Sequence, residues 1–110
     1  MKRILLAICV IALSVLGQDS NQRAFTFAWL SDVHLNSFAY AEDDLRQSIE
    51  DINANPDVDF TILSGDVTEF GDTKEFYLLQ DILKDFRKPY FLIPGNHDVN
   101  WSENGCTMFD

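Results

Sequence analysis

The sequence predicts an α/β fold built on a parallel sheet, and three observations carry that prediction. Apolar segments short enough for strands alternate with segments of helical periodicity. The strand-like segments recur about every 30 residues, the length of a β-α-β unit. Each of them closes on a cluster of small and polar residues: Ser31-Asp32-Val33-His34, then Ser64-Gly65-Asp66, then Pro94-Gly95-Asn96-His97-Asp98. The order β-α-β-α-β implies parallel strands joined by right-handed crossovers.

The elements follow in turn. Residues 24–30 form the first strand, with Phe25, Phe27 and Trp29 on one face and Ala28 and Leu30 on the other. Two apolar faces are the pattern of a parallel strand covered on both sides. Residues 42–53 form a helix: Leu45, Ile49 and Ile52 make its apolar stripe, and Glu42-Asp43-Asp44 suit the positive end of its dipole. Asn55-Pro56 ends it. Residues 58–63 form the second strand. Asp72-Thr73 caps a second helix that runs to about Arg87, with Phe76, Leu79, Leu83 and Phe86 along one stripe. Residues 89–93 form the third strand, closed by Pro94-Gly95. Asp43, Asp44, Glu50 and Asp51 belong to a solvated helix face.

The N-terminus stands apart from this fold. Met1-Lys2-Arg3 is basic, residues 4–16 are an apolar run interrupted only by Ser14, and small residues lead to a cut after Gly17. That is the pattern of a secretory signal peptide, and the run is shorter than the roughly 20 residues a membrane span requires. Residues 1–17 are therefore expected to be a leader, and 18–110 the exported portion, periplasmic or secreted, with no stable membrane anchor. Leader removal takes Cys9 with it, leaving Cys106 as a lone cysteine with no disulfide partner in this chain.

Composition narrows the function further. With 46% apolar and 13% aromatic residues, the chain is neither disordered nor of low complexity. Eighteen acidic side chains against eight basic ones give a formal charge of −10, which argues against a nucleic-acid polymer as partner.

The three polar clusters carry the chemistry. Ligands of an open parallel sheet bind beyond the carboxyl ends of its strands, so clusters at three successive ends converge on one place. In extended chain, residues two apart share a face, so Asp32 and His34 are expected to grip one ion together. Gly65 and Gly95 allow a sharp turn and close approach beside Asp66 and Asn96. The donors are carboxylate, imidazole and carboxamide, which suit Mn²⁺, Fe, Zn²⁺ or Mg²⁺.

Asp32-Val33-His34, Gly65-Asp66 and Gly95-Asn96-His97-Asp98 together resemble the calcineurin-like metallophosphoesterase superfamily, from about Phe25 to the end of the chain. The resemblance implies the parallel β-α-β-α-β half of a four-layer sandwich and a dinuclear centre of two divalent metal ions. It assigns Asp32 and His34 to the first ion, Asp66 to the bridge between the two, Asn96 to the second ion, and His97 to the catalytic histidine. Two divalent ions clamp the attacking and leaving oxygens of an in-line displacement. A carboxylate has two oxygens to share between ions, and an imidazole protonates a departing alkoxide near neutral pH.

Departures from the pattern narrow the branch. Glu69 stands where purple acid phosphatases have a tyrosine ligand, and Asp98 where the Ser/Thr protein phosphatases have Glu. What remains resembles the bacterial cyclic-nucleotide phosphodiesterase or sphingomyelinase-like branch, with a small-molecule phosphoester or lipid headgroup as substrate. The superfamily also uses a further His and a later Gly-His-x-His, whereas the two histidines here are His34 and His97. The chain is therefore expected to be the front part of a longer enzyme. The alternative is a truncated, catalytically weak metal-binding module. A flavodoxin-like binding domain would account for the strands and acids but gives no reason for His34, Asn96 and His97.

Overall fold

The structure is a computed structural model that describes residues 24–36 and 39–99. Residues 1–17, expected to be a leader, and the residues after Val99, Cys106 among them, lie outside the described residues. Among the described residues, no helix is long and apolar enough to cross a membrane.

The chain folds as β1 (Phe27–Leu30), α1 (Ala41–Ala54), β2 (Phe60–Ser64), α2 (Thr73–Leu83), β3 (Tyr90–Ile93) and a short α3 (Asn96–Val99). The three strands make one parallel sheet in the order β1-β2-β3. Phe27 pairs with Phe60 and Leu30 with Leu63 across the first ladder, and Thr61 with Tyr90 and Ser64 with Ile93 across the second. The α/β class and the five-element order match what the sequence predicts.

Coverage of the sheet differs from the expectation. Both crossovers step in the same direction across the sheet, and right-handed connections then place both helices on the same face. That face is the core. Ala28, Leu30 and Leu63 pack with Leu45, Ile49 and Ile52 of α1 and with Phe76, Leu79, Ile82 and Leu83 of α2. Burying each of the large side chains stabilises the fold by about 1.5–3 kcal/mol. On the opposite face, Phe25, Trp29, Phe91 and Ile93 are 64%, 47%, 57% and 52% exposed. Phe27 stacks on Phe60 at 5.3 Å between ring centroids, and Phe91 meets Phe60 edge-on at 5.8 Å. Among the described residues, β1 is thus covered on one face, not two.

Helix ends show local physics. The α1 N-cap is Tyr40, which makes no side-chain capping bond, so the acidic first turn supplies the favourable charge there. For α2, Asp72 and Glu75 form a reciprocal capping box, with Glu75 N donating to Asp72 Oδ1 at 2.8 Å. This helix ends at Leu83 rather than near Arg87. Asp85 N bonds to Ile82 O and Phe86 N to Leu83 O, a tighter i to i+3 turn that still packs Phe86 against the core. Arg46 of α1 ties the helices together, donating to Glu42 at 3.1 Å, Asp85 at 2.9 Å and Asp81 at 3.3 Å. The hydrogen bond to Glu42 is the main cause that raises the Arg46 pKa, and the bond from Arg46 lowers that of Asp81.

Candidate metal centre

Beyond their last ladder residues the strands stay in contact, and this builds the site. Asp32 N donates to Gly65 O at 3.1 Å, His34 N to Asp66 O at 2.9 Å and Leu35 N to Val67 O at 3.0 Å. Gly65 N in turn donates to Ile93 O at 2.8 Å. The loops after β1 and β2 therefore run side by side.

Asp32 and His34 do not sit in extended chain as expected. β1 ends at Leu30, and Asp32 (φ 56°), His34 (φ 49°) and Asp66 (φ 50°) all adopt left-handed backbone. Such a conformation costs a non-glycine residue about 1–3 kcal/mol, and Asp, Asn and His are among the residues that tolerate it. The turns still bring the side chains together. Asp32, His34 and Asp66 offer ligand atoms that all lie within 4.8 Å of one another. His34, Glu69 and His97 form a second such group, so His34 belongs to both.

The loop after β3 docks against Asp66. A Cβ on Gly95 would lie 2.3 Å from both the amide nitrogen and Oδ1 of Asp66, so only glycine fits there. His97 N donates to Asp66 Oδ1 at 3.0 Å. Asn96 is exposed between these two neighbours, both of which lie against Asp66.

Two fully buried carboxylates hold the three loops in place. Asp98 accepts from Thr68 N (2.8 Å), Thr68 Oγ1 (2.7 Å), Val67 N (3.3 Å) and Gly95 N (2.8 Å), joining the second and third loops. Glu75 accepts from Asn36 Nδ2 (3.2 Å), Phe70 N (2.9 Å) and Asp72 N (3.3 Å), joining the first and second loops to α2. Sequence reasoning alone assigns neither role. The spacing Asp72-x-x-Glu75 signals the capping box, but nothing in the sequence signals the reach from Glu75 to Asn36.

Glu69 is the residue the sequence reading misses. His34 Nδ1 lies 2.8 Å from Glu69 Oε2, and His97 Nδ1 lies 2.8 Å from the Glu69 carbonyl oxygen. A carbonyl only accepts, so in this contact His97 donates from Nδ1. The two rings meet edge to face at 4.8 Å.

The donors fit divalent cations. They are oxygen and nitrogen ligands with no thiolate, partly shielded, and the Asp32, His34 and Asp66 group offers two carboxylates and one imidazole. Ligand atoms on one ion at about 2.2 Å stand at most about 4.4 Å apart. The ligand atoms of Asp32, His34 and Asp66, all within 4.8 Å of one another, are close enough to share an ion.

With this geometry in hand, the comparison with known families is direct. Residues 25–110 match the calcineurin-like phosphoesterase family, and the chain belongs to it. It is 32% identical over 77 residues to a probable glycerophosphodiester phosphodiesterase GpdQ of Arcobacter nitrofigilis, a match that covers 63% of this chain and 28% of that protein. Over 94 residues it is 28% identical to a probable cyclic nucleotide phosphodiesterase of Fibrobacter succinogenes, covering 76% of this chain and 35% of that one. A probable cyclic nucleotide phosphodiesterase of Ruthia magnifica is 32% identical over 80 residues, covering 68% and 34%. The chain thus spans about a third of the length of the curated relatives it matches.

Proposed function

We propose that the protein is a metal-dependent phosphodiesterase acting on small phosphodiesters through a dinuclear centre, with this chain supplying the first three motifs. The convergence of three strand-end loops on Asp66 carries the reading, and the phosphodiesterase names of its relatives support a diester substrate. A glycerophosphodiester or cyclic nucleotide fits those names, and a lipid headgroup diester has the same chemistry. The leader at residues 1–17 sends the protein to the periplasm or the medium.

In this reading Asp32 and His34 would hold the first ion, Asp66 would be shared between the two, and Asn96 would add a neutral oxygen to the second. When bound, divalent ions supply Lewis acidity toward the phosphoryl oxygens. Asp66 orients the third loop by accepting from the His97 amide. His97 is held with Nδ1–H on the Glu69 carbonyl, so its protonated Nε2 is the group that hands a proton to the leaving alkoxide.

The test is hydrolysis of bis(p-nitrophenyl) phosphate by the full-length protein with Mn²⁺ or Zn²⁺. Wild type turns over only with metal, and Asp66→Ala abolishes turnover. Retained turnover in Asp66→Ala would sink the assignment.

A further inference from the structure

Both histidines of the site rest on one residue, by two different groups. Glu69 gives its carboxylate to His34 Nδ1 and its main-chain carbonyl to His97 Nδ1, each at 2.8 Å. We infer that Glu69 is the positioning residue of the centre: its carboxylate holds His34 Nδ1–H and so makes Nε2 the metal-ligating nitrogen beside Asp32 and Asp66. The inference rests on the metal-dependent reading above.

The chain fixes Glu69 from both sides. Its amide donates to Leu35 O at 3.1 Å, which ties it to the residue after His34. The next amide, Phe70 N, is held at 2.9 Å by the buried Glu75 carboxylate. The carboxylate is therefore delivered to the His34 ring by backbone that is itself anchored. With side chains only 22% and 19% exposed, the His34–Glu69 pair is shielded enough for a charge-assisted bond to matter. A carboxylate on the far nitrogen of a ligating histidine fixes its tautomer and ring orientation and raises its basicity. Asp32 and Asp66 already supply anionic oxygen to the group that includes His34. What that group lacks is a defined ring nitrogen, and Glu69 defines it. His97 needs no carboxylate for the same purpose, because the carbonyl already sets its tautomer; Glu69 Oε1 stands 4.0 Å from its Nδ1.

The two contacts respond differently to substitution, and that makes the inference testable. Glu69→Ala removes the carboxylate and keeps the carbonyl. In the full-length apoprotein, ¹⁵N–¹H correlation spectra are expected to show Nδ1–H tautomers for both histidines in wild type. In Glu69→Ala, His34 becomes a tautomer mixture while His97 is unchanged. The Mn²⁺ dissociation constant, read by chelator competition, rises about 10–100-fold. Turnover at saturating Mn²⁺ falls far less than the affinity does. Glu69→Gln, whose amide oxygen still accepts from Nδ1–H, falls between the two and serves if Glu69→Ala fails to fold. An unchanged His34 tautomer, or an affinity change under about threefold, overturns the inference. So does loss of a whole equivalent of bound Mn²⁺ at every concentration in both variants, because Glu69 would then be a ligand itself. If Asp66→Ala retains turnover, the assignment of the centre to Asp66 fails, and the tautomer and affinity results still decide the role of Glu69.

Discussion

Replacing Asp98 by Asn tests how the third loop is held against the site. The Asp98 carboxylate is fully buried, with Oδ1 serving the amide and hydroxyl of Thr68 and Oδ2 serving the amides of Gly95 and Val67. An asparagine has the same shape but one acceptor oxygen and one donor group. Its best placement turns the NH₂ toward Thr68, whose hydroxyl can rotate to accept, and leaves the oxygen with Gly95 and Val67. The Thr68 amide then loses its acceptor in a buried place and faces another donor. An orphaned buried donor costs about 1–3 kcal/mol, and the remaining bonds lose their charge assistance. The expected loss is about 2–4 kcal/mol, measured by urea unfolding of the full-length protein in the apo state. Because Asp98 links Val67 and Thr68 to Gly95, loosening it also lets Asn96 and His97 drift from Asp66. Phosphodiester turnover is then expected to fall about 10–100-fold, since misplacement by an ångström is that costly. Asp43→Asn on the solvated face of α1 serves as control and is expected to change stability by less than about 0.5 kcal/mol. A loss below about 1 kcal/mol in Asp98→Asn with wild-type turnover would refute the reasoning.

Two further substitutions probe the scaffold. Thr61 Oγ1 is fully buried and finds no hydrogen-bond partner among the described residues, so Thr61→Val, which keeps the shape and removes the hydroxyl, is expected to stabilise the protein by about 1 kcal/mol in urea unfolding; destabilisation would mean the hydroxyl is satisfied. Arg46→Met unlinks α1 from Asp81 and Asp85 and should lower Tm by no more than a few degrees at neutral pH, with the difference shrinking in 1 M salt. Asp81 has a lowered pKa through Arg46, so its share of that link is present above the ordinary carboxylate pKa and is lost as pH falls through the lowered value. The gap between wild type and Arg46→Met is therefore expected to close on acidification below about pH 4, and a gap that widens there would contradict the assignment.

Much of the fold is legible in the sequence because local signals carry it. The helical stripe of Leu45, Ile49 and Ile52, the Asp72 cap and the short aromatic strands each follow from neighbours a few residues away, and the structure forms the elements within a few residues of the expected bounds. The type of donor is equally local: Asp32, His34, Asp66, Asn96 and His97 stand at strand ends because of where the strands stop. Tertiary structure decided the rest, since it depends on residues brought together from some 30 positions apart. Strand order put both helices on one side and left Phe25, Trp29, Phe91 and Ile93 on an uncovered face among the described residues. Left-handed backbone, rather than extended chain, aimed Asp32 and His34 at Asp66. Glu69, Glu75 and Asp98 became the supports of the site only because their acceptor oxygens reach across loops to His34, Asn36 and Thr68. A carboxylate in a sequence has no partner until the chain folds, and the partner then determines whether it binds a cation, fixes a histidine or secures a turn.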